Sequence, residues 1–202
     1  KLQDLLSLRT EGNTALIVFS GDTHVVTPLT DDTNTIAANL PALDPFMMPV
    51  IGSRPDLAVT QALNLLDQGK ASSGRILMLT DGIEPHQQER IRDALGRDRV
   101  TLDILAVGTA HGGPIDLGER GYLKDQGSVV IPRTDLQRLE EVAGENGGAF
   151  SAITLNDDDL FTLDVDGSKR LKQMQQEGGD SIERNFDRWE DAGFWLLLMI
   201  LP

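Results

Sequence analysis

The sequence predicts an α/β fold, a mostly parallel sheet with helices on both faces and one antiparallel strand pair at its edge. Three observations carry this. Ala15–Phe19 and Ile76–Leu79 are apolar runs without alternation, the pattern of strands covered on both faces. Helical patterns separate the strand-like runs, as parallel sheets require. The second run stops at Thr80-Asp81-Gly82, which sets a hydroxyl and a carboxylate at the carboxyl end of a buried strand. Ligands of open α/β sheets bind at that end, and Gly82 is read as the residue that lets the chain turn beside Asp81.

In chain order, Leu2, Leu5 and Leu6 form one face of a first helix, with Gly12 as its stop. Ala15–Phe19 turns at Ser20-Gly21-Asp22, and His24–Leu29 returns antiparallel. Asp31 and Asp32 open a helix with Ile36, Ala37, Leu40 and Leu43 on one face, bounded by Pro41 and Pro45. The loop Pro49–Arg54 leads to a helix begun by Pro55 and Asp56, striped by Ala58, Ala62, Leu65 and Leu66 and ended by Gly69. Pro85 starts a helix with Ile91, Ala94 and Leu95 inward, and Val100–Val107 is the next strand. Tyr122–Ile131 reads as a hairpin around Asp125-Gln126-Gly127. Thr134 and Gln137 are spaced as a capping box for a helix carrying Leu136, Leu139, Val142 and Ala143, which Gly147-Gly148 breaks before a last strand, Ala149–Thr154. Asp157–Val165 has room for one helical turn.

Composition narrows the functions open to such a fold. The chain has 202 residues, enough for one sizeable core. Its 18 Lys and Arg against 32 Asp and Glu give a net charge of −14. That balance argues against a nucleic-acid surface and suits cations, a basic partner or simply a solvated acidic exterior. Cysteine is absent, which excludes disulfides, thiolate metal sites and a cysteine nucleophile. Phe194–Leu201 is apolar throughout, with Trp189, Phe194 and Trp195 near its start. Since roughly 20 residues span a bilayer, this reads as about half of a transmembrane helix with its aromatic belt. The expected organisation is a folded domain over 1–155, a polar juxtamembrane linker over 156–191 and the start of a membrane helix over 192–202.

Hard divalent cations take oxygen ligands, so Asp81 and Ser53 are the candidate metal ligands if their loops lie side by side. The plain alternative for Ser53 is the N-cap of the helix at Pro55. Asp157-Asp158-Asp159 reads as a solvated helix start, and His24, His86 and His111 lack metal-ligand spacing. Gly108–Gly113 lacks the spacing of a dinucleotide loop, and Ser20-Gly21-Asp22 has no base nearby in sequence to support a nucleophile.

The succession Ala15–Asp22, Thr27–Asp32, Gly52–Leu57 and Ile76–Gly82, with Val107-Gly108-Thr109 and Gly113-Pro114-Ile115 after it, resembles von Willebrand factor type A domains. More narrowly it resembles the bacterial membrane-anchored Bat (aerotolerance) group of the BatB type. The resemblance implies a Rossmann-like sheet with a metal-ion-dependent adhesion site at its carboxyl edge, holding Mg²⁺ or Mn²⁺. Asp81 matches the aspartate of that site's Thr-Asp-Gly motif, and Ser53 stands where the family has a threonine. The family's Asp-x-Ser-x-Ser motif is absent, and Leu2–Leu8 matches the helix that follows it. The first strand and the motif are therefore expected upstream of Lys1, between Ala15–Phe19 and Ile76–Thr80 in the sheet.

The resemblance further implies a non-catalytic interaction module, anchored in the bacterial inner membrane with its domain outside the cytoplasm, in stress tolerance or complex assembly. The implied partners are other membrane-anchored Bat-type proteins and a MoxR-type AAA+ ATPase. The alternative is a Mg²⁺-dependent hydrolase with Asp81 as metal ligand. Only Glu84 and His86 lie close enough in sequence to serve it as acid or base.

Overall fold

The computed structural model describes residues 1–163 except 10, 11, 45, 46, 72, 97, 98, 116, 117, 119 and 120. The chain divides into two units, Lys1–Asp166 and Gly167–Pro202, and every described residue lies in the first. Of the expected 156–191 linker, residues 158–162 form a helix and Leu160 and Leu163 are buried in the core, so the folded domain runs past 155; the part beyond 163 and the apolar run Phe194–Leu201 lie outside the described residues.

The order of elements is α1 (Leu2–Ser7), β1 (Thr14–Phe19), β2 (Thr23–Thr30), α2 (Thr33–Asn39), a 3₁₀ turn (Leu40–Ala42), α3 (Pro55–Gln68), β3 (Gly74–Thr80), α4 (Pro85–Leu95), β4 (Val100–Ala106), β5 (Lys124–Asp125), β6 (Ser128–Val129), α5 (Leu136–Glu145), β7 (Phe150–Ala152) and α6 (Asp158–Thr162). β3, β4 and β7 form a parallel sheet in that order. β1 and β2 form an antiparallel pair, and β5 and β6 a small hairpin turning through Gln126 and Gly127, both at positive φ.

β4 is the best-buried strand, paired on both sides. Its residues alternate between two apolar layers, as a strand with both faces covered must. Leu102, Ile104 and Ala106 join Ile76 and Met78 against Val59, Ile91, Leu139 and Val142 from α3, α4 and α5. Leu105, with Leu77 and Leu79, faces Leu5, Leu160 and Leu163. Asp103 is fully buried within β4. It pairs with Arg75 of β3 and accepts a 2.6 Å hydrogen bond from the Ala149 N–H.

The sheet is in two pieces. Among the described residues β1 pairs only with β2, and β3 only with β4, while α3 packs on β1, β2 and β3. Every residue of β1 is only partly buried despite the apolar sequence Ala15–Phe19, and so are Ile76, Leu77 and Leu79. β1 and β3 are therefore not paired with each other.

Three local expectations are corrected. Helix α5 is capped by Asp135, whose carboxylate accepts from the Arg138 N–H at 3.1 Å, and not by Thr134. Thr134 is buried, and its own N–H is bound to the Thr109 carbonyl, so tertiary packing removes it from the helix end. Arg54, not Ser53, is the N-cap residue of α3, which has no side-chain cap bond. The Asp157–Asp159 run is only in part a solvated helix start. Asp159 is fully buried, accepts from the Thr154 and Leu160 N–H groups, and meets the Lys1 ammonium at 3.1 Å. Burial pushes its pKa up, but the Thr154 hydrogen bond and the Lys1 charge outweigh that and leave it lowered.

Candidate functional site

Three connecting segments meet at the end of the sheet where β1 and β3 finish. They are the turn Ser20–Asp22, the loop Val50–Arg54 before α3, and the loop Asp81–Glu84 after β3. The first two are tied by backbone. The Gly21 N–H donates to the Val50 carbonyl at 2.9 Å, and the Ser20 hydroxyl donates to the Gly52 carbonyl at 3.0 Å. A Cβ on Gly21 would lie 2.5 Å from Val50 Cγ1 and 2.7 Å from the Ile51 carbonyl, and Gly52 has φ +147. Only glycine permits this approach.

The loop after β3 is shaped differently from the sequence reading. Gly82 has no positive φ, and the space its Cβ would fill is open. The turn is made by Thr80 instead. Its buried hydroxyl donates to the Gly82 carbonyl at 2.9 Å and lies 3.2 Å from the Gly82 N–H. Thr80 is thus turned inward, and Asp81 is left exposed.

Ser53 and Asp81 sit on neighbouring loops, joined through Gln87 at the start of α4. Gln87 is 4% exposed. Its Oε1 accepts from the Glu84 N–H at 2.9 Å, while the Glu84 carboxylate caps the helix in return. Its Nε2 donates to the Ser53 carbonyl at 2.7 Å. Next to this bridge, Asp56 is gripped by three guanidinium nitrogens. Arg54 bonds both its oxygens at 2.8 Å, and Arg90 reaches Oδ2 at 3.1 Å. The Arg54 hydrogen bonds first, and Arg90 after them, hold the Asp56 carboxyl at about 2 against the upward push of burial.

That shift has a sign. A folded value below the ordinary 3.8 means that Asp56 stabilises the fold above about pH 4, and that this contribution is lost as pH falls toward 2. The amount is roughly 2 kcal/mol. Denaturant unfolding at about pH 6 and about pH 2 is expected to show a larger loss for wild type than for Asp56→Asn, by about that amount. An equal loss in both proteins would mean that the two arginines do not hold this carboxylate.

The Ser53 hydroxyl and the Asp81 carboxylate bond to no other described residue. Both residues are exposed, and both offer hard oxygens of the kind Mg²⁺ accepts while it keeps several waters. The donor chemistry fits a divalent cation. Among the described residues, no group of three or more His, Asp or Glu is placed to hold a metal. His24 meets Asp22 at 3.1 Å in the β1–β2 turn. Gly108 lies against Thr134, so that loop packs on its own chain and does not form a cradle. Sequence reasoning named Ser53 and Asp81 as candidates but did not reach the contacts of Gln87, Arg54, Asp56 and Arg90 around them. Glu84-x-x-Gln87 is legible as a capping box, whereas the bond from Gln87 to Ser53 spans 34 residues and leaves no local pattern.

Residues 1–84 match the model of the von Willebrand factor type A domain family. An uncharacterized protein of Borreliella burgdorferi is 25% identical over 180 residues, which are 87% of this chain and 51% of that protein. The chain therefore spans about half the length of the curated relative it matches. Among solved structures, the conserved hypothetical protein BatB from Bacteroides thetaiotaomicron superposes with TM-score 0.70 at 21% identity, over 89% of this chain and 85% of that one. An aerotolerance-related membrane protein from Bacteroides fragilis, crystallised with multiple mutations to serines, gives TM-score 0.74 at 20% identity over 83% and 85%. At such identities the likeness is one of fold, and it extends well past residue 84. Over residues 1–84 the chain matches the von Willebrand factor type A domain family, and in fold it is similar to these two Bacteroides proteins.

Proposed function

We propose that this chain is a non-catalytic, membrane-anchored interaction module that takes hold of partner proteins through a divalent metal at the carboxyl edge of its sheet. The observation that supports this best is the Gln87 bridge, which keeps the loop of Ser53 beside the loop of Asp81. Ser53 and Asp81 would hold Mg²⁺ or Mn²⁺, and the other ligands belong to an Asp-x-Ser-x-Ser segment upstream of Lys1. When bound, the metal supplies an open coordination position for an acidic side chain of the partner. The chain's own share is to fix two oxygen donors on short, tied loops. The partners we propose are other membrane-anchored Bat-type proteins and a MoxR-type AAA+ ATPase, and the role is stress tolerance or assembly of their complex. The aerotolerance-related description of the Bacteroides fragilis protein supports the first of these roles.

Hydrolysis at the same metal is the less favoured reading. Glu84, the acidic residue closest in sequence to Asp81, takes part in the capping box of α4, which favours a capping role for it over that of a base. The two readings separate in one preparation. Capture of the Bat-type or ATPase partner by the full-length protein is expected in Mn²⁺ and lost in EDTA, with no turnover of p-nitrophenyl phosphate in either. Metal-dependent turnover without capture would reverse the assignment.

The anchor rests on Phe194–Leu201 and its aromatic flank. No helix among the described residues is long and apolar enough to cross a membrane, so the anchor would have to come from the C-terminal segment. The Bacteroides fragilis relative is itself described as a membrane protein. The full-length protein is expected to sediment with membranes and to need detergent for release, with the domain cleaved when spheroplasts are treated with protease. Release by lysis alone would remove the anchor, and protection of the domain would reverse its side.

A further inference from the structure

The first two turns of α4 grip the start of α3 at two places. Gln87 bonds the Ser53 carbonyl, and Arg90 bonds the Asp56 carboxylate. Residues three apart lie on one helical face, so Gln87 and Arg90 form a single gripping surface. Between the two points lies Arg54, locked from its own side by both oxygens of Asp56. The segment Ser53–Asp56 is therefore held along its length by α4, the helix that begins immediately after the Asp81 loop.

The chemistry of Gln87 makes the grip specific. A buried side-chain amide must find partners for both its ends, since an unpaired polar group away from water is costly. Here the oxygen is committed to the Glu84 N–H and the nitrogen to the Ser53 carbonyl. The first bond fixes the end of the Asp81 loop, and the second fixes the Ser53 loop. One rigid planar group thus sets the separation of the two segments that carry the metal ligands. The Ser53 hydroxyl plays no part in this grip, because α3 is capped at Arg54 without a side-chain bond.

We infer that Gln87 is a positioning residue for the divalent-metal site. It touches no metal ligand atom, and it acts by setting the spacing of the Ser53 and Asp81 loops. The inference rests on the metal-binding reading for its consequence, but its structural half stands apart from it.

The test uses the full-length protein, wild type and Gln87→Met, which keeps the side chain's length and removes both hydrogen bonds. Two quantities are read, Mn²⁺ affinity by calorimetry and the ¹³C shift of the Ser53 carbonyl in metal-free protein. Removing a residue that orients a ligand typically weakens metal binding by about 10–100-fold. Gln87→Met is expected to fall in that range and to move the Ser53 carbonyl resonance before any metal is added. Gln87→Glu retains an acceptor for the Glu84 N–H but offers no donor to Ser53, so it is expected to move the same resonance and serves if Gln87→Met fails to fold. Wild-type Mn²⁺ affinity in a folded Gln87→Met protein overturns the positioning role. If the wild type itself takes up no Mn²⁺, the metal reading fails, and an unmoved Ser53 carbonyl in either variant then overturns the grip as well.

Discussion

Residues 1–202 expressed alone are expected to melt broadly, without a cooperative transition, and to gain a sharp one when the polypeptide is extended upstream through one apolar strand. The reason lies in the two sheet edges. β1 and β3 each have a hydrogen-bonded neighbour on one side only among the described residues, and the apolar side chains of β1 stay partly exposed, as do Ile76, Leu77 and Leu79 of β3. An open edge of this kind is a template for another strand. A strand placed there would bury its own side chains on both faces, each Val, Leu or Ile contributing about 1.5–3 kcal/mol. Ordering its backbone costs about 1–2 kcal/mol per residue. Shielding the flanking strands adds to the favourable side, against the roughly 5–15 kcal/mol that holds a domain together. The same need can be met by a strand from a second copy, which chromatography would show as a dimer of 1–202 alone. A sharp transition from monomeric 1–202, unchanged by the extension, would mean that the slot requires no strand.

The strands and helices of this fold were legible because their signals are local. Apolar runs marked β1, β3 and β4, Asp32 capped α2 through the Asn34 and Thr35 N–H groups as its position suggested, and the Gln126-Gly127 turn placed the β5–β6 hairpin. The failures occurred where distant chain decides. Thr134 and Asp135 are adjacent and both able to cap, and the bond between Thr134 and Thr109 settles which one does. Asp159 looks like one of three solvated carboxylates until Thr154 and Lys1 enclose it. Gly82 stood out beside Asp81, yet Gly21 and Gly52 are the glycines on which the site depends, because only there do two backbones meet. The two candidate ligands were legible as residue types at the ends of recognisable elements. The grip that brings their loops together was not, since Gln87 to Ser53 and Arg90 to Asp56 each join residues 34 apart.

If Asp81 holds a divalent cation at the carboxyl edge, as proposed, its removal is the substitution that metal binding tolerates least. Of the two proposed ligands Asp81 is the charged one, and Thr80 has already turned its hydroxyl inward to the Gly82 backbone. Loss of Asp81 would then remove the charge that favours a doubly positive ion at the proposed site. Ser53→Ala is expected to cost less, because water can replace a neutral hydroxyl. The measurement is calorimetric titration of Mn²⁺ into full-length wild-type and Asp81→Ala proteins, with equal folding verified beforehand. Losses of about 10–100-fold accompany changes to groups that only orient ligands, so removal of the ligand itself is expected to exceed about 100-fold and abolish measurable binding. Equal Mn²⁺ affinity in the two proteins would contradict the account.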